Sequence, residues 1–282
     1  MKKIGFVDYY ISEWHANNYV KWIAEANERL GTDYKVCYAW AELDKSPLDG
    51  VTTDEWCEKY GVEKCQTVEE ICEKSDVLLI LAPSDPETHL RLAQAVLPYG
   101  KRTYIDKTFA PDYATAEKIF AIAKEHNTPF FSTSALRYAK ELDAYNDYED
   151  IASVVITVPG SNFPEYSVHL VEMLVRVCTK KPVKLNVEKS GLTYDCTVIY
   201  EDGTRAKLIF SPHYPYSIYA DNGKNNGLQQ PIASAFPRLM EEILKFFETG
   251  TLPFDPQQTL DCMKIREGLI IGSEKLGEWI EL

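Results

Sequence analysis

The sequence predicts an α/β protein in two parts, a doubly wound parallel sheet followed by an α+β domain with a largely antiparallel sheet. Strand-like and helix-like segments alternate through the first 135 residues. Within them Val77-Leu78-Leu79-Ile80-Leu81 is apolar throughout rather than alternating, the pattern of a central parallel strand covered on both faces. After Arg137 the strands follow one another with short turns and a single helix among them. At 282 residues, 45% apolar and 26% charged, the chain has enough material for two cores. The expected domains are residues 1–135 and 136–282.

Element by element, Ile4–Tyr9 and Tyr34–Trp40 are short apolar strands around a helix from His15 to Leu30. On that helix Tyr19, Trp22, Ile23, Ala26 and Leu30 recur at helical spacing. Thr67 with Glu70 three residues on predicts a capped helix start before the Val77 strand. Helices near Pro86–Leu97 and Asp112–His126 bracket the strand Tyr104–Asp106, and Pro129–Ser132 forms a further strand. In the second half Ile151–Val158, Val183–Lys189, Leu192–Tyr200, Arg205–Ser211 and Tyr216–Ala220 read as strands, with a helix over Glu165–Cys178. Two helices close the chain, the second opening at Asp255-Pro256-Gln257-Gln258. Asn222 to Gly227 reads as a mobile loop.

Composition narrows the partners. A formal charge of −13, from 43 acidic and 30 basic residues without a Lys/Arg cluster, argues against nucleic acid and anionic membranes. No apolar run approaches the ~20 residues of a membrane helix, and Asp8 interrupts the apolar stretch behind Met1-Lys2-Lys3. Seven cysteines without a C-x-x-C pair suit neither a disulfide framework nor a zinc site. Cys57, Cys65 and Cys72 read as small buried hydrophobes, which suits a cytoplasmic protein. No metal-ligand spacing, P-loop or serine–histidine–acid pattern occurs.

The chemically informative stretch is Tyr104-Ile105-Asp106-Lys107-Thr108. A lysine at the carboxyl end of a buried strand is costly unless an anionic or hydrogen-bonding group needs it, and in open α/β sheets that end is where ligands sit. In the second half Glu165, His169, Glu172 and Arg176 form a polar helical stripe. That stripe reads equally as a solvated face or as a presentation of His169. His15 and His89 read as structural or supporting residues. Tyr214, Tyr216 and Tyr219 read as sheet packing or as a platform for a sugar ring.

These fragments, in this order, resemble the Gfo/Idh/MocA family of NAD(P)-dependent oxidoreductases over nearly the whole chain. Asp106-Lys107-Thr108 stands where that family carries Glu-Lys-Pro. Ala82-Pro83 with His89 is similar to its Thr-Pro…His turn, and Phe131 to Tyr138 is similar to its crossover. Glu165-x-x-x-His169 is similar to its Asp-x-x-x-His helix, and Phe247 to Ser273 to its closing helix pair. The resemblance implies a Rossmann-like dinucleotide-binding domain over 1–135 and a substrate and oligomerisation domain over 136–282. It implies hydride exchange between a nicotinamide cofactor and a carbohydrate-like or polyol substrate. Lys107 would orient the reacting oxygen, His169 would exchange its proton, and Glu165 would raise the imidazole pKa. A homo-oligomer through the second-domain sheet is the implied assembly.

The first strand departs from the family. Its G-x-G-x-x-G turn, which lets the backbone approach a pyrophosphate, is replaced by Asp8-Tyr9-Tyr10-Ile11-Ser12-Glu13, and Gly5 lies inside the strand. A carboxylate ~4 Å from a phosphate costs about 4 kcal/mol at an effective dielectric near 20. The expected cofactor contacts are Asp8, Tyr9, Tyr10, Glu42, Pro83, His89 and Asp106. NAD is the expected cofactor, weakly held or lost, with NADP disfavoured because Glu42 would repel a 2′-phosphate. The alternative is a non-catalytic binding or regulatory protein that kept the fold and lost normal cofactor binding.

Overall fold

The structure is a computed structural model and describes residues 1–233 and 235–282. It divides into two compact units, one of Met1–Thr133 with Pro237–Pro256, the other of Ser134–Phe236 with Gln257–Leu282.

The first unit is a doubly wound sheet. Its elements are β1 (Lys2–Asp8), α1 (Trp14–Leu30), β2 (Tyr34–Ala41), α2 (Thr53–Tyr60), β3 (Glu63–Lys64), α3 (Val68–Lys74), β4 (Val77–Ile80), α4 (His89–Val96), β5 (Thr103–Ile105), α5 (Tyr113–Glu125) and β6 (Phe130–Ser132). The strand order is β3-β2-β1-β4-β5-β6, and every pair is parallel. The order reverses between β1 and β4, the switch point where such sheets bind ligands. All four residues of β4 are buried, as its unbroken apolar run requires. Two elements of this unit went unread in the sequence, α2 and the two-residue β3. Helix α2 is short and rests on the Thr52–Glu55 capping box rather than on a long apolar stripe. Gly5 serves packing: a Cβ there would lie 2.3 Å from Ser75 Oγ and 2.9 Å from Ile71 Cγ1, so α3 sits directly against β1.

The segment 237–256, counted with the second domain in the sequence reading, returns to this first unit. The reason is aromatic packing from its helix Phe236–Thr249. Phe246 meets Phe131 edge-on at 5.1 Å between ring centroids, and Phe247 lies 5.9 Å from Tyr34. Glu241 adds an ion pair to Arg29 at 2.5 Å.

The second unit is built on a seven-stranded sheet. Its strands are β7 (Ser153–Val158), β8 (Pro182–Ser190), β9 (Thr193–Tyr200), β10 (Arg205–Phe210), β11 (Ser217–Asp221), β12 (Asn226–Gln229) and β13 (Trp279–Glu281). The order is β12-β11-β7-β10-β9-β8-β13, and only β7 and β10 pair in parallel. Strands β7, β9 and β10 alternate, with Val154, Ile156, Val198, Ala206 and Leu208 buried and Val155, Thr157, Thr197, Lys207 and Ile209 half-buried. Helix α6 (Phe163–Val177) and, after Phe236–Thr249 as α7, helix α8 (Gln257–Glu274) cover the buried face. Gly272 lets α8 approach β8, since a Cβ there would meet Val187 at 2.7 Å. Asn222 to Asn225 form the turn of the β11–β12 hairpin, with Asn222 Oδ1 accepting from the Lys224 and Asn225 amides, where the sequence suggested a mobile loop.

The polar stripe of α6 is not a solvated face. Glu172 is 4% exposed and accepts from Arg137 Nε at 2.9 Å, while Arg137, 2% exposed, also donates to Gln258 Oε1 at 2.6 Å. Removing one partner of a buried pair strands the other charge, so Glu172→Ala is expected to cost about 3–5 kcal/mol in a denaturant melt. The apolar double change Arg137→Met with Glu172→Leu should recover most of that loss. Equal stability of Glu172→Ala and the parent would contradict this assignment.

Candidate active site

In the first unit the carboxyl ends of β1, β4 and β5 gather a set of buried charged groups. β5 runs straight into Asp106, which is fully buried. Its Oδ2 is hydrogen-bonded to His15 Nδ1 and lies 3.2 Å from the Tyr19 hydroxyl. Its Oδ1 accepts from the Lys107 amide at 2.8 Å and from the Tyr104 hydroxyl at 3.2 Å. Burial would raise the Asp106 pKa, but His15 and Lys107, by charge and hydrogen bonding, outweigh burial and hold the carboxyl below its usual range. Lys107 is half-buried. Its ammonium makes one 3.3 Å bond, to the Pro83 carbonyl, and its peptide bond to Thr108 is cis. An ammonium has three donors, so most of the hydrogen-bonding capacity of Lys107 remains for a ligand.

The turn from β1 to α1 is packed rather than open. Tyr10, Ile11, Ser12 and Glu13 are all buried. The Ser12 hydroxyl donates to Asp49 at 2.8 Å and the Ser46 hydroxyl to the Ser12 carbonyl at 2.9 Å. Asp8, at about the place of the first fingerprint glycine, is turned inward. It is 1% exposed, and its Oδ1 accepts from the Tyr9 amide at 2.7 Å and the Ala82 amide at 2.9 Å. Ala82 has a φ of +59°, uncommon without glycine, and Asp8 is what ties it down. Asp8 Oδ2 has no hydrogen-bond partner among the described residues. Glu13 caps α1, its carboxylate accepting from the His15 amide at 2.6 Å and from the Ala16 amide. Burial, then the neighbouring Glu13 charge, pushes Asp8 well above the usual carboxylate range, and burial also raises Glu13. Tyr10 is pushed up to about 12 by burial and by Asp85, Asp8 and Glu13.

The other expected cofactor contacts separate into two kinds. His89 is fully buried, with its ring nitrogens on the Leu81 and Phe109 carbonyls, and burial lowers its pKa. Pro83 is buried and offers its carbonyl to Lys107 and to the Thr108 amide. Glu42 and Tyr9 lie further out. Glu42 forms a two-point ion pair with Arg91 at 2.7 and 3.0 Å, and the Arg91 guanidinium sits over the Tyr9 ring at 5.3 Å. Arg91 and Glu13 were missed in the sequence. Nothing local foretold either: glutamate is not among the favoured helix N-caps, and Arg91 lies 49 residues from its partner.

In the second unit His169 is half-buried on α6. Its Nδ1 is 2.8 Å from the Ser134 hydroxyl, and the rings of Tyr166 and Tyr216 stand edge-on to it at 5.7 and 6.3 Å. Burial pushes Tyr216 up to about 12. Glu165 sits in the first turn of α6, where Asn162 donates to it at 2.9 Å and receives the Glu165 amide in return. Ser134 was overlooked because its partnership with His169 spans 35 residues. Tyr216 was singled out in the sequence, and here it borders the histidine.

A dinucleotide pyrophosphate sits, in a doubly wound sheet, on the free amides of the first helix N-terminus. Here the His15 and Ala16 amides already hold Glu13, with the buried Asp8 carboxyl near it. As folded, that end does not fit a pyrophosphate. Among the described residues no cluster of metal-ligating side chains is present, and no helix is long and apolar enough to cross a membrane.

Residues 48–134 match the oxidoreductase family GFO_IDH_MocA, NAD-binding Rossmann fold. The matched stretch begins beyond the β1–α1 turn and includes Asp106-Lys107-Thr108. No curated protein matches the chain in sequence. Among solved structures, scyllo-inositol dehydrogenase from Lactobacillus casei with bound NAD(H) and scyllo-inositol is similar, at 16% identity and a TM-score of 0.75, over 99% of this chain and 98% of that one. Aldose-aldose oxidoreductase from Caulobacter crescentus complexed with glycerol is 13% identical over the full length of both chains, with a TM-score of 0.71. GenD2 from gentamicin A biosynthesis, in complex with NAD, is 12% identical with a TM-score of 0.78, over 100% and 97%. At these identities the likeness is one of fold, and it extends through both units.

The raised Asp8 and Glu13 pKa values have a stability consequence. A carboxyl whose folded pKa lies above its unfolded value contributes stability at low pH and loses it as pH rises through the folded value. Asp106 has the opposite sign, its contribution being lost only as pH falls below the ordinary carboxylate range. Asp8→Asn keeps an oxygen for the Tyr9 and Ala82 amides and removes the buried charge. It should raise stability at pH 8 by about 1–2 kcal/mol and by less at pH 5. Parallel thermal melts of parent and variant across that range check this, and an unchanged pH dependence would contradict it.

Proposed function

We propose that this chain is an oxidoreductase moving a hydride between a nicotinamide cofactor and a polyol or sugar, a reading supported by the match of residues 48–134 to the NAD-binding Rossmann oxidoreductase family. The observation that carries the reading is Lys107. It is a half-buried ammonium at the carboxyl end of β5, on the substrate-bearing edge of the sheet, with one long bond to Pro83. Holding a lysine there is useful when a hydroxyl or carbonyl oxygen must be oriented and its charge stabilised. Asp106 anchors the strand end through four hydrogen-bonding groups, so the base of Lys107 is fixed while its tip is available.

His169 is the proton-exchanging residue in this reading. Ser134 on Nδ1 sets the ring orientation, and the tyrosine edges on either side shape an amphipathic surface suited to a polyol. Glu165 stands one turn before His169 on α6, where the Asn162 side chain donates to its carboxylate. NAD is preferred over NADP in this reading because Glu42, just past the end of β2, would repel a 2′-phosphate and already engages Arg91, the cation that would otherwise receive it. The half-buried sheet face carrying Val155, Thr157, Thr197 and Ile209 is the surface for a homo-oligomer, and seven free cysteines suit a reducing cytoplasm.

Steady-state assays with NAD and a panel of inositols and aldoses test the reading. His169→Ala should lower kcat by about 10²–10⁴-fold with little change in cofactor affinity. Lys107→Met should lower kcat comparably, and the double variant should lose less than the product of the two. Turnover of a panel member that survives both changes would overturn the assignment of these residues. Absence of nicotinamide oxidation or reduction with every substrate class would overturn the activity.

A further inference from the structure

The β1–α1 turn does more than lack glycines. Glu13 is 5% exposed, and its two carboxylate oxygens take the His15 and Ala16 amides, the first donors a phosphate would use in a doubly wound sheet. Its backbone is also fixed, the Glu13 amide donating to the Ile11 carbonyl at 3.0 Å and the Glu13 carbonyl accepting from the Asn17 amide at 3.0 Å. A second, independent feature adds to the same end: Asp8 is 1% exposed, and its Oδ2 has no partner among the described residues. A pyrophosphate approaching α1 would therefore meet a resident anion on its donors and a second carboxyl behind.

We propose that Glu13 is an internal stand-in for the cofactor phosphate, competing for the α1 amides, so that dinucleotide affinity is set by displacing this one side chain. The proposal rests on the oxidoreductase reading only for the identity of the competing ligand. The remaining titratable groups around Glu13 are Asp8 on β1, Tyr10 in the turn itself, Asp106 after β5, and His15 and Tyr19 on α1. None of them bonds the two amides, so substitution of Glu13 alone vacates the seat while the Asp106–His15–Tyr19 group stays in place. Serine and aspartate are both good helix caps, which separates loss of the cap from loss of the charge.

The test is a fluorescence titration of the whole chain with NADH, with a thermal melt of each variant as a folding control. Glu13→Gln and Glu13→Ser should bind NADH about 100-fold more tightly than the parent, the effect of removing a like charge ~6 Å away at an effective dielectric near 20. Glu13→Asp keeps an anion at the cap and should stay within about threefold of the parent. A purely structural role for Glu13 predicts no such split between serine and aspartate. Equal, measurable affinity in parent, Gln and Ser forms would overturn the competition and leave the oxidoreductase reading intact. A serine form that melts like the parent but binds no NADH or NADPH would overturn both.

Discussion

The structure of the first unit depends on burying charge at the carboxyl ends of β1 and β5. Asp106 is fully buried and remains ionised because His15, the Lys107 amide and two tyrosine hydroxyls surround it. That arrangement ties the start of α1 to the end of β5 and fixes where Lys107 leaves the sheet. Asp8 does the corresponding work between β1 and the turn after β4, holding Ala82 in a left-handed conformation. A buried carboxylate is destabilising unless its oxygens are satisfied. Asp106 meets that condition and Asp8 meets it at one oxygen. The difference shows in the opposite directions of their pKa shifts.

The same constraint explains why the β1–α1 turn looks unlike a glycine-rich loop. Glycines permit close backbone approach to a ligand, whereas this turn fills the space with its own side chains. Tyr10 and Ile11 pack inward, Ser12 is pinned by Asp49 and Ser46, and Glu13 satisfies the helix amides. Local order is thus gained at the place where a dinucleotide would otherwise supply it. The family match covers residues 48–134 and so begins beyond this turn.

The second unit presents its candidate residue differently. His169 stands on a helix whose other polar positions are structural, with Glu172 buried against Arg137 and Glu165 engaged by Asn162. One helix therefore carries both a buried ion pair and a half-buried imidazole. The aromatic edges beside His169 come from α6 itself and from the residue preceding β11.

Much of this was legible in the chain. The unbroken apolar run of β4, the alternation of β7, β9 and β10, and the helical spacing on α1 reflect burial on two faces, one face and one stripe, periodicities that local sequence carries directly. Asp106-Lys107-Thr108 and Glu165-x-x-x-His169 stood out for the same reason, being short patterns on recognisable elements. Partners distant in sequence were not legible. Nothing near Glu172 announces Arg137, nothing near Glu42 announces Arg91, and the polar stripe of α6 looked the same whether buried or wet. That the closing helices could pack back on the first domain was legible; that segment 237–256 does so, through Phe246 and Phe247 against Phe131 and Tyr34, needed the assembled core. The sequence by itself determined the order and type of elements and the residues at the strand ends. Tertiary structure alone decided which carboxylates turn inward and what they bond, because burial and pairing of charge are properties of neighbours in space.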